Sequence, residues 1–267
     1  MDRLARVLAI AGSDSGGGAG IQADIKAITA LGGYAMTAVT AITVQNTRGV
    51  TGIHPVPEGV IGAQVRAVLS DIGADAVKTG MLGTAATVEA VADALAEAGP
   101  DIPLILDPVM IATSGDRLVA DDSVKAIRTR LLPRAAIITP NAPEAATLTG
   151  LTVTNCDEQV EAGRALLDAG AGAALIKGGH LSGPTVRDVL VTGKEVFVFE
   201  SKRLDTTSTH GTGCTLASAI ATGLAKGLAL QDAVETAGQY LHEAILHAPG
   251  LGSGHGPVDH GWVLRRG

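Results

Sequence analysis

The sequence predicts an α/β fold built on a mostly parallel sheet, and three observations carry that expectation. Short apolar runs of strand length alternate with amphipathic runs of helix length, the pattern of βαβ units. The chain holds 35 glycines in 267 residues, which provides for many tight connections. Several strand-like runs end in polar residues, as at Gln45-Asn46, Asp107-Pro108 and Pro140-Asn141.

Taken in order, Val7 to Ala11 reads as a buried strand, followed by the glycine-rich run GSDSGGGAG. A helix from about Ala19 to Leu31 presents Ile21, Ile25, Ile28 and Leu31 on one face. Asp24 falls inside that apolar face, where a carboxylate needs a partner. A cap or a buried salt bridge would satisfy it, and a ligand contact is the functional reading. Tyr34 to Val44 is rich in Thr and Val and reads as a strand ending at Gln45-Asn46. Thr51 to Val56 is a short strand. A helix from about Pro57 to Ser70 leads to the strand Ala74 to Thr79, closed by Gly80-Met81. Thr84 caps an amphipathic helix that runs to Ala98.

The second half continues the alternation. Leu104 to Leu106, Ala136 to Thr139 and Ala173 to Ile176 are strands; Asp122 to Leu131, Ala142 to Leu148 and Asp157 to Ala169 are helices. Arg187 to Val191 and Glu195 to Glu200 form an antiparallel hairpin around Thr192-Gly193. After it come a helix beginning near Cys214, a helix from Leu230 to His247, and a glycine-rich tail. No linker or composition break divides the chain, so residues 1–267 are expected to form one domain.

Composition narrows the function. A net charge of −7 without a basic block, and only 2% aromatic residues, leave little for nucleic acid to bind. No run of about 18 apolar residues exists to span a membrane, and VLAIAG is too short for a signal peptide. Two cysteines, Cys156 and Cys214, make no disulfide framework, which suits a reducing cytoplasm.

The stretch DTTSTHGTGCTLASAIATGLAK, Asp205 to Lys226, carries the chemistry. A polar run passes through Gly211, Thr212 and Gly213 into a helix of small residues. The first amides of a helix lack internal partners and favour negative charge, so a phosphate can approach them across a glycine turn. The same position lowers a thiol pKa, so Cys214 is a candidate thiolate or proton acceptor; the alternative is a small buried side chain before a core helix. Neither GxxxxGK[ST] nor GxGxxG occurs in the chain. At other strand exits Asp107, Asn141 and Glu144 are oxygen donors of the kind a hard Mg²⁺ ion takes, although Asp107 and Asn141 are also ordinary turn residues beside prolines. Lys177, before two glycines, has the reach for a nucleotide phosphate. An anion hole, oxygen ligands and a phosphate lysine together suit phosphoryl transfer. His180 and His210 border this region and read as structural histidines. His242 and His247 read as surface residues, and Cys156 as a lone thiol near a helix start.

The segments AGSDSGGGAGIQADIKA, QNTRGV, KTGM, LDPVM, ITPNAPEA, IKGGH and STHGTGCTLASAIA occur in this order. Together, from about residue 5 to 260, they closely resemble the hydroxymethylpyrimidine/phosphomethylpyrimidine kinases of the ribokinase superfamily. The resemblance implies a ribokinase-like three-layer α/β/α sandwich, ATP as co-substrate with Mg²⁺, and a homodimer. It implies two successive phosphorylations of 4-amino-5-hydroxymethyl-2-methylpyrimidine. It places the pyrimidine against Gly12, Asp24, Gln45 and Met81. The anion hole falls on Gly211, Thr212, Gly213 and Cys214, with the cysteine as base. The nucleotide falls beside Lys177, Asn141 and Thr209, and the metal and phosphate network on Asp107 and Glu144. Many superfamily relatives carry Asp where Cys214 stands, a departure shared with cysteine-type pyridoxal kinases. Those kinases, and a non-catalytic pyrimidine- or nucleotide-binding protein, are the competing readings.

Overall fold

The computed structural model describes residues 4–99, 101–110 and 121–265. Its framework is one nine-stranded sheet. The strands are β1 (Ala5–Asp14), β2 (Gly33–Asn46), β3 (Gly49–Pro55), β4 (Ala76–Thr79), β5 (Leu104–Leu106), β6 (Ala135–Ile138), β7 (Ala173–Ile176), β8 (Thr185–Thr192) and β9 (Val196–Lys202). Their order is β3-β2-β1-β4-β5-β6-β7-β8-β9. The six strands from β2 across to β7 run parallel; β3 at one edge and β8 and β9 at the other are antiparallel additions. The expected mostly parallel sheet is present.

The helices are α1 (Gly20–Ala30), α2 (Glu58–Asp71), α3 (Ala85–Glu97), α4 (Asp121–Ala126), α5 (Ala142–Thr149), α6 (Cys156–Asp168), α7 (Thr212–Ala225) and α8 (Leu230–Leu246). Period-2 alternation sends neighbouring strand residues to opposite faces. Leu8, Val77, Leu104 and Ile138 therefore pack with α2, α3, α5 and α6 in one core. Val7, Ala76, Ile105 and Ile137 pack with α1, α7 and α8 in the other. Two cores on one sheet make the three-layer sandwich.

Most elements lie where the hydrophobic periodicity puts them, including the Thr84 cap, whose side chain accepts from the Thr87 amide. Two differ. β1 continues to Asp14, past a register shift between Ala11 and Ser13, because the GSD segment pairs with β2. The helix expected over Asp122 to Leu131 becomes a π-helical turn at Ile127–Leu131. No helix among the described residues is long and apolar enough to cross a membrane.

Parallel pairing brings the carboxyl ends of β1, β2 and β4 to β7 to one edge of the sheet. The chain turns to β2 on one side of β1 and returns as β4 on the other, which opens a crevice there. The start of α7 lies over that edge.

Candidate active site

A cavity of about 1460 Å³ lies at this edge. It is lined by Gly12, Gln45, Met81, Asp107, Asn141, Glu144, Lys177, Thr209 and all of Gly211 to Cys214. Seven strand ends and loops far apart in sequence thus meet around the N-terminus of α7, and of the expected site residues only Asp24 is missing from the wall.

The turn into α7 is set by Gly211, which adopts φ 81° as the residue before the helix. A Cβ there would lie 1.9 Å from the Gly18 carbonyl oxygen, so only glycine fits. The first intrahelical bond runs from the Thr215 amide to Gly211 O at 2.9 Å. The Gly213 and Cys214 amides have no backbone acceptor among the described residues and are available to an anion. A Cβ on Gly213 would come within 3.3 Å of Lys177 Nζ and 3.7 Å of Asp107 Oδ2, so ammonium and carboxylate face the turn directly.

Asp107 is fixed on one side and open on the other. Its Oδ1 accepts from Lys177 Nζ at 3.0 Å and from Thr139 Oγ1 at 3.1 Å. Its Oδ2 is buried without a protein partner. Burial works against the Lys177 charge, but Asp107 and Glu144 outweigh it and hold the ammonium above its usual range. Asn141 and Glu144 form a reciprocal cap of α5: Asn141 Oδ1 accepts from the Glu144 amide at 2.9 Å, and Glu144 Oε2 from the Asn141 amide at 2.8 Å. Burial pushes the Glu144 carboxyl up to about 7, against the pull of Lys177. Asn141 thus both caps α5 and forms part of the cavity wall.

An unpartnered carboxylate oxygen beside a second buried carboxyl is a donor set that suits a hard divalent cation. No group of three or more such ligands exists among the described residues. Mg²⁺ commonly takes one or two carboxylates and fills its remaining positions with water and phosphate oxygens.

Cys214 corrects one expectation. The residue keeps part of its surface exposed, yet burial pushes its thiol up to about 11. Lys78 and a backbone hydrogen bond from Gly20 oppose this without reversing it. A helix start lowers a thiol pKa where solvent reaches it; here desolvation is the larger effect.

Asp24 corrects another. It is fully buried, its Oδ1 accepting from Lys78 Nζ at 2.8 Å and from Ser218 Oγ at 2.7 Å. The buried salt bridge, not a direct ligand contact, is what the structure shows. Ser218 lies one helical turn beyond Cys214, so the ion pair sits beneath the Gly211–Cys214 turn. A Cβ on Gly80 would lie 3.0 Å from Lys78 Nζ, which explains a glycine at that strand exit.

Two further groups went unrecognised in the sequence. Asp14 lines the cavity and accepts from the Gly16, Gly18 and Ala19 amides and from His210 Nε2. Burial raises its pKa, but these partners prevail and hold it below the usual carboxylate range. Its signal was visible: an aspartate before consecutive glycines is a natural acceptor for their amides. Asp188, on β8, also lines the cavity, and its carboxyl is pushed up by burial; nothing in the hairpin pattern distinguishes it from a solvent-facing residue.

The Gly211–Cys214 turn is also tied to the C-terminal segment. Thr215 Oγ1 donates to Gly211 O at 2.7 Å and therefore accepts from His260 Nε2 at 2.9 Å. Burial, the main cause, holds the His260 ring down at about 4. The folded protein keeps this ring neutral while the unfolded chain protonates it near 6.5. Its contribution is therefore present above about pH 6.5 and lost as pH falls toward 4, by up to roughly 3 kcal/mol. His260→Gln keeps a donor and removes the titration. Urea denaturation at pH 4.5 and 7 is expected to show a smaller acid loss in the variant; equal losses would place the acid sensitivity elsewhere.

Residues 14–259 match the family described as phosphomethylpyrimidine kinase. A Streptomyces coelicolor protein named hydroxymethylpyrimidine/phosphomethylpyrimidine kinase is 52% identical over 97% of this chain and 95% of its own. The ADP complex of Bacillus subtilis pyridoxal kinase matches with a TM-score of 0.91 at 35% identity, covering 99% of this chain and 100% of that one. A Clostridium difficile phosphomethylpyrimidine kinase matches with a TM-score of 0.81 at 40% identity, covering 90% and 99%.

Proposed function

Since the chain belongs to the phosphomethylpyrimidine kinase family and its fold is ribokinase-like, we propose that it serves thiamine biosynthesis as a two-step kinase. It transfers phosphate from ATP to 4-amino-5-hydroxymethyl-2-methylpyrimidine and then to the resulting monophosphate. The observation that supports this is one cavity along the carboxyl ends of the sheet: Gly12, Gln45 and Met81 lie at the ends of β1, β2 and β4, Asn141 and Lys177 at the ends of β6 and β7, and the turn from Thr209 into α7 lines it as well. An acceptor held at the first group and a nucleotide at the second would meet at Gly213 and Cys214.

In this reading the Gly213 and Cys214 amides receive the charge of the transferring phosphoryl group. Lys177 adds positive charge at the same point, and Asp107 orients it. Cys214, in the fraction present as thiolate, takes the proton that leaves the acceptor hydroxyl. Gln45 presents a side-chain amide to the pyrimidine edge, its Oε1 already accepting from Thr43 Oγ1 at 3.0 Å. Asp107 and Glu144 would hold Mg²⁺, which neutralises charge on the phosphate oxygens. Asp24, sealed behind the wall, supports the acceptor end through Lys78 and Ser218. The reading includes a homodimer working in the cytoplasm.

The structural likeness to pyridoxal kinases makes pyridoxal the second candidate acceptor. An ATP-consumption assay with Mg²⁺ compares the pyrimidine alcohol, its monophosphate and pyridoxal. Both pyrimidines are expected to be turned over, with higher kcat/KM than pyridoxal. Turnover of pyridoxal with neither pyrimidine active would replace the proposal by the second reading.

A further inference from the structure

The acceptor end of the cavity must receive two ligands of different charge. The alcohol is neutral, whereas the monophosphate carries about −1.5 to −2 at pH 7. The residues lining this end are Gly12, Ser13, Asp14, Thr43, Gln45, Met81 and His210, with Ala19 and Gly20 beside them. His210 is the one side chain among them able to carry positive charge. Lys78 lies behind the wall, bound to Asp24, and the exposed Lys26 donates to Gly17 O. Lys177 is across the α7 turn, on Asp107.

His210 is held for a purpose that packing alone does not require. Its Nε2 lies 2.8 Å from Asp14 Oδ2. A carboxylate only accepts, so Nε2 carries a hydrogen. Asp14 is itself fixed by the Gly16, Gly18 and Ala19 amides at 2.7, 2.9 and 2.8 Å. A Cβ on Gly18 would lie 2.5 Å from His210 Cδ2, so the ring is packed against that glycine. The Gln45 amide approaches Nε2 at 3.4 Å. Nδ1 has no hydrogen-bond partner among the described residues and is not sealed from solvent. A buried imidazole with one nitrogen clamped to a carboxylate and the other left over has a free position for a ligand.

We propose that His210, oriented by Asp14, is the residue that admits the monophosphate as a second acceptor. With the neutral alcohol bound, the ring stays neutral and Nδ1 can accept from the hydroxymethyl group. With the monophosphate bound, Nδ1 takes the proton of the phosphate monoanion, so that Nε2–H donates to Asp14 and Nδ1–H to the phosphate dianion that results. The imidazolium then separates the phosphate from the Asp14 carboxylate, which would otherwise repel it. Asp14 is the charged group within hydrogen-bond reach of the ring; Gln45 and Gly18 are its uncharged neighbours.

The inference rests on the two-step reading, and the test separates the two. In His210→Gln, kcat/KM is measured for the alcohol and for the monophosphate with saturating ATP. A hydrogen bond to a charged group implies that the monophosphate step falls about 10- to 100-fold more than the alcohol step. Equal falls in both steps would reduce His210 to a support of the Gly211 turn and overturn the inference. A wild-type enzyme that turns over neither pyrimidine would instead overturn the two-step reading. The wild-type protein offers a second measurement that needs no variant to fold. With ¹⁵N-labelled histidine, the His210 ring is expected to show two protonated nitrogens when the monophosphate binds, and one when the alcohol binds. A ring in the same state with both ligands would also overturn the inference.

Discussion

Replacing Cys214 with alanine is expected to lower kcat by about 10²–10⁴-fold, the usual range for losing general-base assistance. Alanine leaves Gly211, Gly213 and the backbone of the turn in place, so the amides that cradle the phosphoryl group remain. Binding of ATP and of the pyrimidine is therefore expected to survive. The raised thiol pKa adds a sharper expectation. A group pushed up to about 11 is seldom ionised at neutral pH. Wild-type kcat should then climb close to tenfold per pH unit through the neutral and mildly alkaline range. The alanine variant should lack that limb. Cys214→Asp should restore part of the rate and move the limb to lower pH, since a carboxylate ionises earlier. Full activity in the alanine variant would make the thiol a packing residue. Identical pH profiles in wild type and alanine variant would place the titrating group elsewhere.

Lys78→Met is expected to destabilise the protein by about 3–5 kcal/mol in urea denaturation at pH 7, the range for breaking a buried ion pair. Both Lys78 and Asp24 are fully buried, and among the described residues Asp24 is the one hydrogen-bond acceptor given to the ammonium. Burial works against the Lys78 charge, but Asp24, with Cys214 and Asp107, outweighs it and holds the ammonium above its usual range. Without that ammonium, Asp24 keeps, among the described residues, only the Ser218 hydroxyl on Oδ1 and no partner on Oδ2. It must then either remain a buried charge or take up a proton. A carboxyl kept protonated in the folded state loses stability as pH rises above the unfolded value, so the deficit should grow from pH 4 to pH 7. The double variant Lys78→Met/Asp24→Leu removes both charges at similar volume and should recover most of the loss. A cost in Lys78→Met below about 1 kcal/mol, or a double variant as unstable as the single, would contradict this description of the pair.

Both expectations depend on features that differ in how far the sequence displays them. The turn at Gly211 to Cys214 is legible because it is local: a polar run, two glycines and a helix of small residues follow one another without a break. The capping box of Asn141 and Glu144 is local in the same way, three residues apart. The strands and helices were legible for the same reason, since each is written in its own periodicity. The Lys78–Asp24 pair is not local. Asp24 is visible as a carboxylate on an apolar face, but its partner lies 54 residues away on β4. Only the β1–β4 register and the packing of α1 against α7 bring the two together. Asp14 and His210 are separated by 196 residues and meet only after the chain has completed the sheet. The thiol pKa was misjudged because a helix start is a local cue, whereas desolvation depends on everything packed around it.

Membership in the phosphomethylpyrimidine kinase family defines what the protein should choose when offered both candidate acceptors. Equal concentrations of the pyrimidine alcohol and pyridoxal are incubated with limiting ATP and Mg²⁺, and the phosphorylated products are identified by ³¹P NMR and mass. The pyrimidine monophosphate is expected first, then its diphosphate, with pyridoxal phosphate a minor product. Accumulation of pyridoxal phosphate while the pyrimidine remains unphosphorylated would contradict the proposed function.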